Sequence, residues 1–432
     1  MKVLLVTGFF PPHAPLAATR APALARFLRE RGHGVRVIGA RNTDFPPVLD
    51  HGLPEEDVTF APVDAPQSAR LLLGALVRGN AAAWRGLAAP LRTAQAIAAW
   101  PDQRIGWLPH ALEAADRLCA RWKPDVMVAS VPPHSGLLLA RRIHRRHGIP
   151  WVADLRDLWT GHPYYDGRGV VRLLDGAAER LALGTAAGLV TVTEGWRSLL
   201  ARQWPGKPVR LVRNGYEEAD DTADPSAEAE GPLRIVYSGV LYGARRDPRP
   251  LFAAVRTLGL GPDDIAIRFY GSEPDLVRAH MAEYGLSEPV VEVLPPVKRA
   301  ELLPIQRAAD VLLLLRWNDP RENAVLAGKL FEYIGCRRPI LSVGLTTGEA
   351  ADILRDGGLG VVADDPAVIA AHLTDLLAAK RAGGVPAPPA AAAESHARAR
   401  QFLHLEDLLH EVTAAPRPAP AAAPVGAVRR GS

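Results

Sequence analysis

Cysteine is nearly absent from this sequence, with Cys119 and Cys336 alone among 432 residues, and aromatic residues make up only 6%. A disulfide framework or a cysteine-ligated zinc site needs more thiols than that. Uninterrupted apolar runs are short as well, and a typical one, Val311–Leu315, is far below the ~20 residues of a membrane-spanning helix. Met1–Thr7 is too short for a secretory signal and is predicted to be a strand. We therefore expect a cytoplasmic protein without a membrane span.

Lysine is scarce too, with six residues among the 51 basic ones. The formal net charge is +4, but residues 1–214 carry +11 and the remainder carries −7. This asymmetry predicts two domains with different partners. A basic first half attracts an anionic acceptor, an anionic membrane surface or nucleic acid. Because the arginines are scattered and no nucleic-acid-binding module is recognisable, we expect no nucleic-acid partner.

Short apolar runs alternate with helical patterns along residues 1–214. A helix is predicted over Thr19–Arg31, with apolar residues on one face and Gly32 and Gly34 ending it. Alternation of strand and helix predicts βαβ units and a parallel sheet. The predicted strands are Lys2–Thr7, Val35–Ala40, Val58–Val63, Asp125–Ser130, Pro150–Asp154, Leu189–Thr193 and Val209–Arg213.

An acidic segment at 215–231, poor in large apolar residues, predicts a linker, after which the alternation resumes over 232–382. The fold class is therefore α/β, with two doubly wound, Rossmann-like domains facing a cleft in which ligands bind. A linker and a closing helix are expected over 383–412, and a disordered tail over 413–432. The predicted strands of the second domain are Leu233–Tyr237, Ile265–Tyr270, Asp310–Leu315 and Pro339–Val343.

Two loops after predicted strands of the first domain carry residues suited to an anion. Gly8–Arg20 (GFFPPHAPLAATR) joins the first strand and helix, where doubly wound folds bind phosphate or substrate, although it is not a GxGxxG motif. Ser130–Gly136 (SVPPHSG) holds His134 at a helix start, where an imidazole can donate to an anion or act as a base. The alternatives are a plain connection and a helix at which Ser135 is only the N-cap.

A third loop, Asp154–Trp159 (DLRDLW), places two carboxylates around Arg156 at the carboxyl end of a strand. Chemistry in doubly wound folds is expected at such ends. The structural alternative is a turn in which Arg156 is salt-bridged to Asp154 or Asp157.

Two loops of the second domain suit a phosphorylated ligand. In Ser238–Arg246 (SGVLYGARR), Arg245 and Arg246 would face a diphosphate if Gly239 lets the backbone come close. In RENAVLAGKLFEYIG, Lys329 lies in the first turn of a predicted helix, whose amides would help to hold a phosphate, and Glu332 would suit a ribose diol. The alternative is a solvated Lys–Glu pair. Motifs of P-loop kinases, zinc metalloproteases and α/β-hydrolases are absent.

Eight segments follow one another along the chain: FFPP, RGHGVRVI, KPDVMVASVPPHSG, IPWVADLRDLWT, GLVTVTEGW, VRNGY, LRIVYSGVLYGARRDP and GKLFEYIGCRRPIL. In this order, they resemble the family-4 glycosyltransferases, which are retaining enzymes of the GT-B fold. The resemblance covers roughly Met1–Leu377. It implies a hexosyltransferase or related enzyme whose first domain binds the acceptor and whose second binds a nucleotide sugar, with no cofactor and no metal ion.

By position, the resemblance assigns roles to named residues. The loop DLRD and its neighbourhood would carry the chemistry, through Asp157, Arg156 and His134. The acceptor side would comprise Thr19, Arg20 and Asp154. The donor side would comprise Gly239, Arg245, Arg246, Gly271, Val297, Glu322, Lys329 and Glu332.

The sequence departs from the family pattern at three places. Ala324 stands where the first of two glutamates is usual, and Glu322 lies two residues earlier as a substitute. Leu16–Ala17 replaces a glycine pair, and Arg156 replaces a histidine, for which His134 is the alternative imidazole. Two other hypotheses therefore stay open: a sugar-nucleotide epimerase of the same fold and a non-catalytic GT-B scaffold that binds a partner.

Ser68–Trp100 is rich in alanine and leucine, with arginines spaced at close to two helical turns. A basic amphipathic helix of this kind can lie on an anionic bilayer, which would suit a lipid-linked acceptor and a peripheral position on the inner face of the cell membrane. Glycines and a proline interrupt the pattern, and a helix hairpin packed on the first domain is the plainer interpretation. Soluble aglycones and glycans are equally compatible acceptors.

Overall fold

The apolar run after Met1 forms an interior strand of the first of two sheets. The computed structural model describes residues 1–15, 18–47, 50–64, 99–217 and 230–415. They form two compact units, each assembled from more than one segment. The first unit contains the described residues of Met1–Thr191, Leu200–Arg210 and Leu405–Ser432, and the second those of Val192–Leu199 and Leu211–His404.

The first sheet has seven strands in the order β3-β2-β1-β4-β5-β6-β7. Strand β1 pairs in parallel with both β2 and β4, as the βαβ pattern predicts. The strands are β1 (Lys2–Thr7), β2 (Gly34–Arg41), β3 (Val58–Pro62), β4 (Val126–Val131), β5 (Trp151–Leu155), β6 (Gly188–Thr191) and β7 (Val209–Leu211). The helices along this part of the chain are α1 (Arg20–Glu30), α2 (Leu108–Arg121), α3 (Ser135–His147), α4 (Gly169–Leu183) and α5 (Glu194–Gln203).

The second sheet has six strands in the order β10-β9-β8-β11-β12-β13, and its pairings are all parallel. The strands are β8 (Leu233–Ser238), β9 (Ile265–Tyr270), β10 (Val291–Leu294), β11 (Val311–Leu315), β12 (Ile340–Val343) and β13 (Gly360–Ala363). The helices are α6 (Arg249–Leu258), α7 (Pro274–Glu283), α8 (Arg299–Ala308), α9 (Gly328–Gly335), α10 (Glu349–Asp356), α11 (Pro366–Arg381), α12 (Ala390–Glu394) and α13 (Arg398–Ala414).

Strand β11 shows why the central strands are apolar throughout. Leu313 and Leu315 pack into the core on one face of the second sheet, and Leu312 and Leu314 pack into the core on the other face. A parallel strand covered on both faces has no solvent side, so its sequence does not alternate. The two parallel sheets with alternating helices confirm the prediction of two Rossmann-like domains, as in the GT-B fold.

Differences from the predicted elements are small. Strands β10 and β13 were not predicted. They are the two edge strands of the second sheet and are only partly buried, so they lack the apolar run of a central strand. The Pro/Ala-rich segment after Gly383 contains the short helix α12. Much of Ser68–Trp100 and of the linker, and most of the tail, lie outside the described residues. The described residues contain no helix that is long and apolar enough to cross a membrane.

Candidate functional site

Lys329 lies in the first turn of α9, at the carboxyl edge of the second sheet. Its Nζ is buried and has no hydrogen-bond partner in the described part of the chain. The ammonium lies 4.2 Å from the centroid of the Tyr237 ring. Burial, with a smaller contribution from Arg246, lowers the pKa of Lys329 to about 7, against the opposing effect of Glu332. A buried ammonium without a partner is costly, so this arrangement calls for an anion.

Gly239 provides the close backbone approach that the sequence predicts. Its φ is +114°, and a Cβ built there would lie 2.8 Å from Lys329 Nζ. The Gly239 amide donates to Tyr270 O at 2.8 Å, and Ser272 Oγ donates to Gly239 O at 2.8 Å. Gly271, after β9, has a φ of +70° and lies against Pro296. Two glycine turns thus stand side by side at the ends of β8 and β9.

A carboxylate fixes the rest of the loop after β8. Glu273 Oε2 accepts from the Leu241 amide at 2.8 Å. Burial acts to raise the pKa of the Glu273 carboxyl, but backbone amide donors at Leu241 and its neighbours outweigh it and lower that pKa. The loop is therefore held in shape by hydrogen bonds to its own backbone.

The two arginines of this loop separate. Arg246 lies 4.6 Å from the Tyr242 ring centroid and donates to Val240 O at 3.1 Å. Arg245 is exposed and lies over the ring of Trp317, as Arg321 also does, each at 4.7 Å from its centroid. Only Arg246 belongs to the surroundings of Lys329. The sequence analysis missed Trp317, although its position two residues after the buried strand β11 was a signal.

The remaining donor-side candidates lie around α9. Glu332 is exposed and forms no ion pair with Lys329, so the interpretation of a solvated Lys–Glu pair is wrong. Glu322 is half-buried and shares the 3-10 turn Pro320–Ala324 with Ala324. Val297 is partly buried against the core of the second sheet.

A buried polar network lies beneath this site. Ser238 accepts from Gln306 Nε2 at 3.1 Å, and the Tyr333 hydroxyl lies 3.2 Å from the Ser238 amide, which donates to it. Cys336 Sγ donates to Gln306 Oε1 at 3.7 Å. These contacts join β8, α8 and α9, so the loop after β8 and the first turn of α9 are tied to one framework.

In the first unit, His134 stacks face to face on Trp159, with ring centroids 5.0 Å apart and planes 2° apart. Its Nδ1 is buried without a hydrogen-bond partner in the described residues. Burial lowers the pKa of His134 to about 4, with smaller effects of His162 and Arg156. The imidazole is therefore neutral at pH 7, which suits a base or a neutral donor better than an anion-binding cation.

The DLRD loop is not a salt-bridged turn. Arg156 donates to Val131 O at 3.2 Å and to Pro132 O at 2.6 Å, and burial lowers the pKa of its guanidinium. Asp157 is half-exposed, and its Oδ1 lies 3.8 Å from Nε2 of His162. Sequence analysis missed His162, which lies five residues after the aspartate in a loop without a recognisable motif.

Arg20 and Asp154 form a buried ion pair. Arg20 Nη2 lies 2.9 Å from Asp154 Oδ1, and Nε donates to both carboxylate oxygens. Ser130 Oγ donates to Asp154 Oδ2 at 2.8 Å. Thr19, at the N-cap position of α1, makes no side-chain capping bond. The ion pair thus links α1 with β5 and β4, inside the first unit.

Helix α3 receives its cap from a distant residue. Asp102 accepts from the Ser135 amide at 2.7 Å and from Ser135 Oγ at 3.0 Å, and burial raises the pKa of the Asp102 carboxyl. Trp107 Nε1 donates to Ser135 Oγ at 3.2 Å. Ser135 is thus part of the helix start, but Asp102, not Ser135, caps it.

One group of possible metal ligands occurs in the described residues, made of His33, Glu406 and His410. Glu406 already accepts from His33 Nε2 at 2.7 Å and from Arg31 Nε at 2.6 Å. The Arg31 guanidinium supplies the positive charge that a metal ion would bring. The cluster is therefore explained as an ion-pair anchor of α13.

A family model described as a glycosyl transferase 4-like domain matches residues 17–216. The 2-deoxystreptamine glucosyltransferase of Streptomyces kanamyceticus is 24% identical over 306 residues, which cover 62% of this chain and 75% of that protein. This match over residues 17–216 confirms the resemblance to the family-4 glycosyltransferases and supports a transferase, as the sequence predicts.

Solved structures support the GT-B fold of this glycosyltransferase. Anabaena HepE in complex with UDP matches with a TM-score of 0.63 at 14% identity, covering 95% of this chain and all of that one. A putative UDP-N-acetylglucosamine 2-epimerase from Listeria monocytogenes matches with a TM-score of 0.55 at 13% identity, covering 98% and 99%. At these identities the likeness concerns the fold alone.

Proposed function

We propose that this glycosyltransferase moves a sugar from a nucleotide diphosphate donor to an acceptor hydroxyl with retention of configuration. The second unit binds the donor. One observation carries the proposal: Lys329 presents a buried, unpartnered ammonium beside Gly239, at the start of a helix. Ala327, at the N-cap position, has no side-chain group to satisfy the free amides of α9. Ammonium and amides together suit a diphosphate.

The chemical task is to stabilise an oxocarbenium-like sugar and the departing diphosphate. Charge builds on the diphosphate as the glycosidic bond breaks, so a fixed positive charge there lowers the barrier. Lys329 and Arg246 supply this positive charge, and Arg245, beside Trp317, adds to the positive potential. Glu332 binds the ribose diol. No metal ion is needed in this scheme, and turnover should be unchanged when a chelator is added.

A donor screen tests the proposal. Nucleoside diphosphates and their sugars are added to the wild type while thermal stability and nucleotide release are followed; a ligand at ~100 times its dissociation constant adds ~2.7 kcal/mol of stability. Lys329→Ala should weaken binding roughly ten- to a hundredfold, and Glu332→Gln should weaken ribose-containing ligands. Lys298→Ala, at an exposed lysine before α8, is the matched control. Equal affinity in Lys329→Ala and the wild type would remove the site.

The stereochemical part needs its own measurement. The anomeric configuration of the product, compared with that of the donor by NMR, should be the same. An inverted product would contradict retention without affecting donor binding.

A sugar-nucleotide epimerase is the second candidate, favoured by the fold likeness to the Listeria protein. An epimerase needs no acceptor. Incubation of the nucleotide sugar alone should leave its sugar unchanged in a transferase and convert it in an epimerase. A non-catalytic scaffold would bind the nucleotide and convert it in neither assay.

The acceptor is proposed to bind the first unit, as an aglycone, a glycan or a lipid-linked molecule. The basic character of residues 1–214 supports contact with an anionic acceptor or an anionic membrane surface. Sedimentation with phosphatidylglycerol vesicles at low salt distinguishes contact with a membrane surface from contact with an acceptor in solution. Absence of binding would remove the membrane version and favour an acceptor in solution.

A further inference from the structure

Tyr237 is held by burial, by a ring contact and by a hydrogen bond of its hydroxyl. The side chain is buried, its ring packs against Phe269 with centroids 5.4 Å apart, and its hydroxyl donates to Val240 O at 3.0 Å. The face of the ring is turned to Lys329, whose Nζ lies 4.2 Å from its centroid. The aromatic face and the ammonium therefore meet in a set geometry.

The charged and titratable groups around this ammonium come from three elements. Strand β8 offers the Tyr237 ring, the loop after it offers the cationic Arg246, and α9 itself offers Glu332, which is exposed. Glu332 makes no ion pair with Lys329, so the electron-rich ring is the attractive group among these three that the ammonium contacts. A ring attracts a cation through its quadrupole, and more strongly where water is excluded.

An aromatic partner has a consequence that a carboxylate would not have. A carboxylate beside Lys329 would neutralise it and compete with a diphosphate. An aliphatic side chain would leave the ammonium without attraction, and the desolvated amine would lose its proton more easily. An aromatic ring stabilises the positive charge of the Lys329 ammonium. A diphosphate can still displace the ring as its partner, since cation–π attraction is weaker than a buried ion pair.

We propose that Tyr237 is a positioning residue of the donor site, whose ring face holds the Lys329 ammonium charged and aimed beside Gly239 before the diphosphate arrives. This inference rests on the proposed donor site. It adds that nucleotide affinity depends on the electrons of a ring that the ligand never touches. A merely structural Tyr237 would depend on the shape of the ring alone.

The test changes the electrons and keeps the shape. Tyr237→Phe and a trifluorinated phenylalanine at position 237 are compared, with the tightest binder among UDP, ADP, GDP and dTDP as the probe and calorimetric titration from about pH 6.5 to about pH 9. Tyr237→Phe should bind within about twofold of the wild type. The fluorinated ring should weaken binding at neutral pH by ~3–30-fold and move the pH midpoint of binding lower, because the ring no longer favours the charged amine.

Two controls make the outcome specific. A trifluorinated phenylalanine at position 269 alters a buried ring that contacts Tyr237, and it should leave the pH midpoint in place. In a Lys329→Met background, fluorination at 237 should have no further effect, since the cation is gone. An unchanged midpoint, or an equal loss in the Lys329→Met background, overturns the inference while the donor site stands. If the wild type binds none of the four nucleotides, the proposed donor site falls, and this inference falls with it.

Discussion

The Lys329 ammonium occupies the space in which a side chain on Gly239 would begin. A Cβ on Gly239 would lie 2.8 Å from Lys329 Nζ and 3.5 Å from its Cε. The two residues belong to different elements, the turn after β8 and the first turn of α9. The position of each residue therefore depends on the other. Three of the five predictions below concern this pair, and two concern the first unit.

Gly239→Ala should weaken nucleoside diphosphate binding by roughly tenfold or more, because the new methyl group displaces the ammonium. The φ of +114° adds a backbone strain of about 1–3 kcal/mol. Calorimetric titration measures the first effect and urea unfolding the second. Gly243→Ala is the matched control, since Gly243 also has a positive φ, +67°, but no atom within 4 Å of its built Cβ. Equal loss of affinity in both variants would trace the effect to strain.

Lys329→Met should stabilise the nucleotide-free protein while weakening nucleotide binding. Replacing a buried charge by an apolar group of similar size stabilises by roughly 1–4 kcal/mol where no partner is lost. The pKa of Lys329 is about 7 in the folded protein and 10.5 is its ordinary value. Between these pH values the unfolded chain binds more protons here, so wild-type stability rises with pH. The melting-temperature advantage of Lys329→Met should thus be greatest below about pH 7 and shrink towards about pH 10; a constant difference would contradict this.

Nucleoside diphosphate affinity of the wild type should fall as pH rises through about 7, since the amine that binds the anion loses its proton there. Titrations are compared at about pH 7 and above, where a terminal phosphate with a second pKa of about 6 stays ionised. Binding should take up protons, seen as a heat that depends on the ionisation enthalpy of the buffer. In Lys329→Met both the pH dependence and the uptake should vanish. Retention of either in that variant would assign the titration to another group.

Asp157→Asn should lower turnover by at least about tenfold and leave the nucleotide dissociation constant unchanged. Asp157 lies in the first unit, half-exposed beside His162, and the donor residues lie in the second. Steady-state kinetics and calorimetric titration are run on the same preparation. Asp116→Asn is the control, because Asp116 also pairs with a histidine, His147, on the surface. Loss of turnover and nucleotide binding together would indicate a structural role.

Asp154→Asn should destabilise the first unit by about 3–5 kcal/mol, because Arg20 is left buried without its counter-charge. Glu113→Gln, in the exposed pair with Arg117, should cost less than about 1 kcal/mol. Urea unfolding measures both. A normally stable Asp154→Asn protein that has lost turnover would instead support the acceptor-side role that the family resemblance implies.

Much of the architecture follows from local pattern. The run VLLLL at β11 is apolar at every position because both faces of the strand are covered, and such a run is typical of a buried parallel strand. The strand Gly360–Ala363 escapes this signal, because it lies at the edge of the sheet and its first two residues are only partly buried. The sequence was sufficient to identify Gly239 and Lys329 as candidates, because Gly239 follows a strand and Lys329 lies at the start of a helix. Doubly wound folds bind ligands at such places.

The sequence by itself determined two doubly wound units, a resemblance to a known family, and the residue types available at the strand ends, since these depend on periodicity and on order along the chain. Only the tertiary structure decided what each of those residues contacts. In the structure Arg20 pairs with Asp154, and the Lys329 ammonium lies against the ring of Tyr237. Helix α3 is capped by Asp102 rather than by Ser135. Side chains far apart in sequence meet through strand order and register, and a contact of a few ångströms between them leaves no trace in local composition.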